Sequence, residues 1–177
     1  MARRFLILVA ALLPCIPAAQ AQAPPNQVLF MGYGTSHWRI NTSFRTEPDL
    51  IRFERHREND RGGCIGGPQL ASRIDYYPGI RLSWNFFGRD SALLEIATVR
   101  SGDRSASGFT IGQSRFREVR ARYPHAAMYR THLDRYALGR IELSAFRATG
   151  YESGKSMDYW FNAGGLLVGL ATGIGGC

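Results

Sequence analysis

Gly79-Ile-Arg-Leu-Ser-Trp-Asn-Phe-Phe87 is the stretch that decides the fold, because apolar and polar side chains alternate along it. The alternating apolar residues are Ile80, Leu82, Trp84 and Phe86. A period of two places all four on one face of a β-strand. A turn-forming run at 88–91 follows, and 92–100 is a second run with Leu94, Ile96 and Thr98 on one face. The pattern predicts a β-hairpin and an antiparallel sheet.

Further strand-like runs follow towards the C-terminus, at residues 127–133, 139–146, 157–161 and 166–170. Ala163-Gly164-Gly165 predicts a hairpin turn between the last two. In the other direction, residues 28–31 predict a short strand. Residues 50–58 fit a half-exposed strand or a helix, and residues 59–68 are a loop by composition.

One helix is predicted at about 113–123. Ser114 is a suitable N-cap, and Phe116, Val119 and Tyr123 recur on one face of a helix that Pro124 would end. The sequence therefore predicts a single α+β domain over residues 28–177, in which this main helix packs on the antiparallel sheet.

The first residues have the pattern of an export signal. Arg3 and Arg4 precede the apolar run 5–13, and Ala19-Gln20-Ala21 has small residues where a signal peptidase needs them. We therefore predict a signal peptide at 1–21, with cleavage between Ala21 and Gln22.

A disordered leader at 22–27 would follow the cleavage site. The apolar run is too short for a transmembrane helix, which needs about 20 apolar residues. Lipidation at Cys15 is the alternative, although Pro14 stands where a lipoprotein signal has a small residue. The expected location is the periplasm or the outside of the cell, with no transmembrane span in the mature protein.

The mature chain would keep two cysteines, Cys64 and Cys177. An even number in an oxidising compartment predicts that they pair. Two free thiols, or a bridge from Cys177 to a second molecule, are the alternatives.

A resemblance starts from the segment Gly108-Phe-Thr-Ile-Gly-Gln-Ser-Arg-Phe-Arg-Glu-Val-Arg-Ala-Arg-Tyr-Pro124. In it a glycine-bounded strand leads into a serine-capped helix. Over residues 108–177 the chain resembles the small outer-membrane lipoproteins of the assembly-machine type and the β-lactamase-inhibitor-protein-like domains. The resemblance implies a strand–helix–sheet element and a binding or assembly role without shared catalytic residues.

The chain is basic, with 22 Lys and Arg against 14 Asp and Glu, a net charge of +8. Arginine supplies nearly all of this excess, which either reflects codon usage or favours binding to anionic surfaces. A candidate binding strip consists of Arg52, Arg55, His56, Arg57 and Arg61. Because Glu54 and Glu58 interrupt it, the alternative is a solvated face with internal ion pairs.

No catalytic motif is present, and the four histidines lack the spacing of a metal site. We therefore expect no catalytic, cofactor-binding or metal-binding residues and no nucleic-acid partner. The leading hypothesis is a non-enzymatic envelope protein that binds another protein or an anionic envelope polymer. The alternative is a small periplasmic hydrolase or enzyme inhibitor that uses Ser36, His37 or His56.

Overall fold

The computed structural model describes residues 26–58, 70–132, 142–149 and 154–174. Strands make up 51% of these residues and the helix 6%. The predicted α+β class is therefore wrong, and the protein is mostly β. The error arose partly from a strand that was not predicted at residues 70–77 and partly from a helix that is shorter than expected.

Within the described residues, ten strands and one helix follow one another along the chain. They are β1 (Val28–Leu29), β2 (Arg52–Glu58), β3 (Leu70–Tyr77), β4 (Ile80–Phe87), β5 (Asp90–Thr98), β6 (Arg104–Ser105), α1 (Phe116–Arg122), β7 (Ala127–His132), β8 (Glu142–Thr149), β9 (Lys155–Phe161) and β10 (Leu167–Ile174).

Eight strands form one antiparallel sheet in the order β2-β3-β4-β5-β10-β9-β8-β7. Each half is a meander of four consecutive strands, and β5 pairs with β10 where the halves meet. β1 and β6 form a separate parallel pair of two residues each. Most strand pairs are neighbours along the chain because short turns favour antiparallel partners.

The predicted hairpin is confirmed as β4 and β5, but a register shift after Ser83 changes which residues share a face. Trp84 pairs with Leu93, which is fully buried, whereas Leu94 is only partly buried. The buried face of β5 therefore contains Leu93 in place of the expected Leu94, together with Ile96 and Thr98 as expected. A β-bulge inserts one extra residue in a strand, which simple alternation cannot anticipate.

α1 has seven residues, and Val119 is its buried residue. Ser114 does not cap it, because the Ser114 hydroxyl oxygen accepts a hydrogen bond from the Thr110 N–H at 3.0 Å. Arg115 is the N-cap, and its N–H donates to the Glu118 carboxylate at 2.7 Å. The helix is a short accessory to the sheet. It is not the layer that the sequence predicted.

Two large apolar clusters and a smaller one around Trp160 hold the fold together. In the first, Leu29 of β1 and Val119 of α1 pack with Tyr159 and Leu170 of the second meander. The second cluster contains Trp38 and six buried residues of the first meander, with Ile40, Phe44 and Leu50 packed against it. Segment 30–50 therefore covers β3, β4 and β5, which brings Phe44 to the site described below.

Buried polar groups fix the connections to this core. Asp103 is fully buried, and its carboxylate accepts hydrogen bonds from the Gln27 N–H at 2.8 Å and the Thr98 hydroxyl at 2.6 Å. Gln27, at the end of the predicted leader, is therefore buried and held, whereas residues 1–25 lie outside the described part of the chain.

Burial raises the pKa of Tyr159 above its ordinary value of 10.0. The Tyr159 hydroxyl lies 3.1 Å from the Ser107 hydroxyl.

Within the described residues the fold contains no disulfide, and both Cys64 and Cys177 lie outside them. No helix in the described ranges has the length and apolar character that crossing a lipid bilayer requires.

Candidate functional site

The predicted basic strip lies on β2, and the pleat of the strand divides it between two faces. Arg52 and His56 share one face with Glu54, whereas Arg55 belongs to the other, because side chains alternate along a strand. Arg57 pairs with Ala71 in the ladder. Arg61 lies outside the described residues.

The face that carries Glu54 is balanced in charge. Arg52 forms an ion pair with Glu54, and the His56 Nε2 lies 3.7 Å from the Glu54 Oε2. The Arg52 guanidinium also lies 5.1 Å from the centroid of the Tyr76 ring. The mixed-charge alternative therefore describes this face, where the positive charge of Arg52 has a carboxylate partner within the protein.

The opposite face leaves a positive charge available. Arg55 is exposed, and its guanidinium lies 5.4 Å from the ring centroid of Phe53, which is itself 48% exposed. Among the described residues Arg55 has no ion-pair partner. Among the strip residues whose side chains the structure describes, Arg55 is therefore the cation that no described carboxylate neutralises and that an anion can reach.

Arg55 borders a cleft of about 330 Å³ at the end of β2, β3 and β4. Its lining consists of Phe44, Arg55, His56, Ala71, Ser72, Arg73 and Phe86. The walls are mostly apolar with a small number of cationic and polar groups, which is the usual composition of a ligand pocket.

Arg73 is the central residue of the cleft and is only 7% exposed. Its guanidinium carbon lies 4.6 Å from the ring centroid of Phe44 and 4.0 Å from that of Phe53, within the range of cation–π contacts. Its Nε–H donates to the Asp75 Oδ1 at 2.5 Å. Two rings and one carboxylate therefore fix the plane and the direction of the guanidinium.

The Arg73–Asp75 pair lies on the core face of β3. Asp75 is fully buried, and within the described residues its Oδ2 has no hydrogen-bond partner. The terminal nitrogens of Arg73 likewise make no hydrogen bond to any described residue. The N–H donors on these terminal nitrogens therefore remain available to a ligand that enters the cleft.

Sequence reasoning missed Arg73 and Asp75 because β3 itself was not predicted. The available signal was Arg73-Ile-Asp75, in which opposite charges stand two residues apart and so share a face of any strand. Nothing in the sequence indicates that Phe44 covers the pair, since that contact joins residues 29 positions apart.

The residues of the alternative enzyme hypothesis lie apart. His37 lines a second cleft of about 190 Å³ together with Glu47 and Tyr77, and the His37 Nε2 lies 3.7 Å from the Glu47 Oε1. Burial raises the pKa of Tyr77 above 10.0, and a hydrogen bond from the Glu47 N–H offsets part of this rise. His56 lines the other cleft, and Ser36 is exposed and lines neither.

No group of three or more His, Cys, Asp and Glu side chains that could hold a metal ion exists within the described residues. Comparison with protein-family models, with curated proteins and with solved structures gives no match for the chain.

Proposed function

We propose that the protein is an exported, non-enzymatic binding module that holds an anionic envelope polymer or an envelope protein with an acidic surface. The observation that carries the proposal is the cleft beside Arg55. There an exposed arginine with no described ion-pair partner lies next to a nearly buried one, Arg73, whose terminal nitrogens no described residue uses.

The charges of the whole chain support a negatively charged partner. Loss of Arg3 and Arg4 with the predicted signal peptide would leave 20 Lys and Arg against 14 Asp and Glu, a net charge of +6. This charge attracts polyanions over a distance of about one Debye length, which is about 8 Å at physiological ionic strength. Short-range selection would then fall to the cleft, where walls of low polarity strengthen each charge interaction.

The export pattern at residues 1–21 supports an envelope location for this partner. A signal peptide would deliver the protein to the compartment in which acidic polysaccharides, lipid headgroups and envelope proteins occur. The periplasm or the outside of the cell therefore remains the expected location.

Affinity chromatography on an immobilised acidic polysaccharide, such as polygalacturonate, tests the proposal. The wild-type protein should be retained at low salt and should elute as the salt concentration rises, because screening weakens contacts between exposed charges. Arg55→Ala should weaken binding about fivefold, as the loss of one ion pair worth about 1 kcal/mol predicts.

Arg122→Ala is the matched control, because Arg122 is an exposed arginine on α1, away from the cleft. Equal losses in Arg55→Ala and Arg122→Ala would mean that only the net charge matters. Failure of the wild-type protein to bind this polymer and envelope extracts alike would refute the proposal. The hydrolase or inhibitor hypothesis would then be favoured.

A further inference from the structure

We infer that the cleft between Arg55 and Arg73 is a subsite for a single carboxylate attached to an apolar body. The inference rests on the proposed function, because it names the part of the anionic partner that enters this cleft. Three features of the site lead to it: the free edge of a guanidinium, the local balance of charge and the apolar walls.

The free edge of Arg73 fits a carboxylate. A guanidinium has five N–H donors in a rigid plane, and Asp75 takes the one on Nε. The two terminal nitrogens are left as a symmetric pair, which a carboxylate can meet with its two oxygens. A neutral hydroxyl or amide would satisfy fewer of these donors.

Among the side chains that the structure describes, the charges favour one negative charge over two. Arg73 and Asp75 cancel, with 2.5 Å between Nε and Oδ1. His56 faces Glu54 at 3.7 Å, which leaves Arg55 as the lining cation without a described counter-ion. A carboxylate supplies the one charge that balances Arg55, whereas a phosphate monoester carries about 1.5 to 2 charges at neutral pH.

The walls of the cleft favour an apolar body behind the carboxylate. Phe44 and Phe86 line the cleft with Ala71, and the two rings lie 5.3 Å apart between centroids. Phe44 also meets the buried Trp84 edge-to-face at 5.2 Å, which anchors this wall in the core. An alkyl or aryl group that fills about 330 Å³ would remove this apolar surface from water.

The site is formed before the ligand arrives. Phe44, Phe53 and Asp75 already hold the Arg73 guanidinium, so that binding does not have to order a long side chain. Such preorganisation lowers the entropic cost of binding, because the side chain does not have to be immobilised when the ligand arrives.

Isothermal titration of the full-length protein with octanoate, octanamide and octyl phosphate tests the inference. We expect octanoate to bind, and its neutral isostere octanamide to bind at least tenfold more weakly. Octyl phosphate should not bind more tightly than octanoate. Equal affinity for the amide, or a clear preference for the phosphate, would overturn the assignment of a single carboxylate.

Two variants locate the binding. Ala71→Leu narrows the cleft without changing a charge and should weaken octanoate binding. Arg73→Met combined with Asp75→Leu removes the guanidinium and its buried counter-ion together. In other proteins, replacing both members of a buried ion pair by apolar residues preserves folding. This double variant should bind octanoate more weakly and should discriminate less against octanamide, because it loses the Arg73 donors but keeps the charge of Arg55. Unchanged octanoate binding in either variant would show that the cleft is not the site.

Retention of the protein on polygalacturonate tests the proposed function independently of the carboxylate subsite. Octanoate, but not octanamide, should elute the wild-type protein from polygalacturonate. Retention on the polymer with no octanoate binding would refute the carboxylate subsite and leave the proposed function in place. Octanoate binding without polymer retention would refute the proposed function as tested, and binding without elution would show that the cleft is not part of the polymer site.

Discussion

Arg73→Met removes one half of a buried ion pair, and we expect it to lower the free energy of unfolding by about 3–5 kcal/mol. Arg73 is 7% exposed and Asp75 is fully buried. The single replacement would leave the Asp75 carboxylate inside the protein without its only described counter-ion. Asp75→Leu should cost a similar amount, because it leaves the guanidinium charge between Phe44 and Phe53.

The double variant should behave differently. Two unit charges about 4 Å apart attract each other by about 4 kcal/mol at an effective dielectric constant of about 20. Withdrawing each charge from water costs several kcal/mol, so that the intact pair contributes little net stability. Arg73→Met combined with Asp75→Leu removes both the attraction and the cost. We expect its stability to lie within about 1 kcal/mol of the wild type, or above it.

Equilibrium unfolding in urea provides the measurement. Trp84 is 1% exposed and lies 5.2 Å from Phe44, so its fluorescence reports on the packing around the pair. The four proteins form a double-mutant cycle, in which the coupling energy should reach at least about 3 kcal/mol. Additive single effects below about 1 kcal/mol each would refute the reasoning, because they would mean that water reaches the pair and screens it.

Three further predictions concern the rest of the fold. Gly34→Ala should cost several kcal/mol in urea unfolding, because φ is +97° and an added Cβ would lie 2.3 Å from the Trp38 carbonyl oxygen. Gly88→Ala, at φ +65° with nothing within 4 Å, should cost only about 1–2 kcal/mol. Asp103→Ala should cost about 1–3 kcal/mol, since it strands the buried Gln27 N–H, whereas the Thr98 hydroxyl still has the Gly79 carbonyl oxygen at 3.3 Å. A loss below about 0.5 kcal/mol would contradict the burial of this N–H. The raised pKa of Tyr159 means that folding favours the neutral phenol. Its contribution is therefore complete below pH 10 and lost as the pH rises towards the folded value, a decline that should be smaller in Tyr159→Phe.

Local patterns were sufficient for much of the sheet. The alternation around Trp84 predicted β4 and its hairpin with β5, because a period of two follows from strand geometry alone. The runs at the C-terminal end gave β7 to β10 with boundaries displaced by a few residues. The helix was placed correctly, but its length was overestimated. A serine can cap a helix or form its hydrogen bond elsewhere, and Ser114 bonds the Thr110 N–H instead of capping α1.

The candidate site depended on contacts that no local pattern encodes. The sequence indicated an arginine-rich strip on residues 52–61, but β2 divides it between two faces, and Glu54 neutralises much of one of them. The important arginine is Arg73, on a strand that the sequence analysis did not predict. Phe44 reaches it only because segment 30–50 folds over the sheet.

The sequence by itself determined the excess of positive charge, the pattern of an export signal and the strands in which apolar and polar residues alternate. These properties are local, because they depend on composition or on residues a few positions apart. Only the tertiary structure decided which arginines are neutralised and which remain available, and it made the protein mostly β. Ion pairs, burial and strand register join residues that are distant along the chain, so that their energies exist only once the sheet has formed.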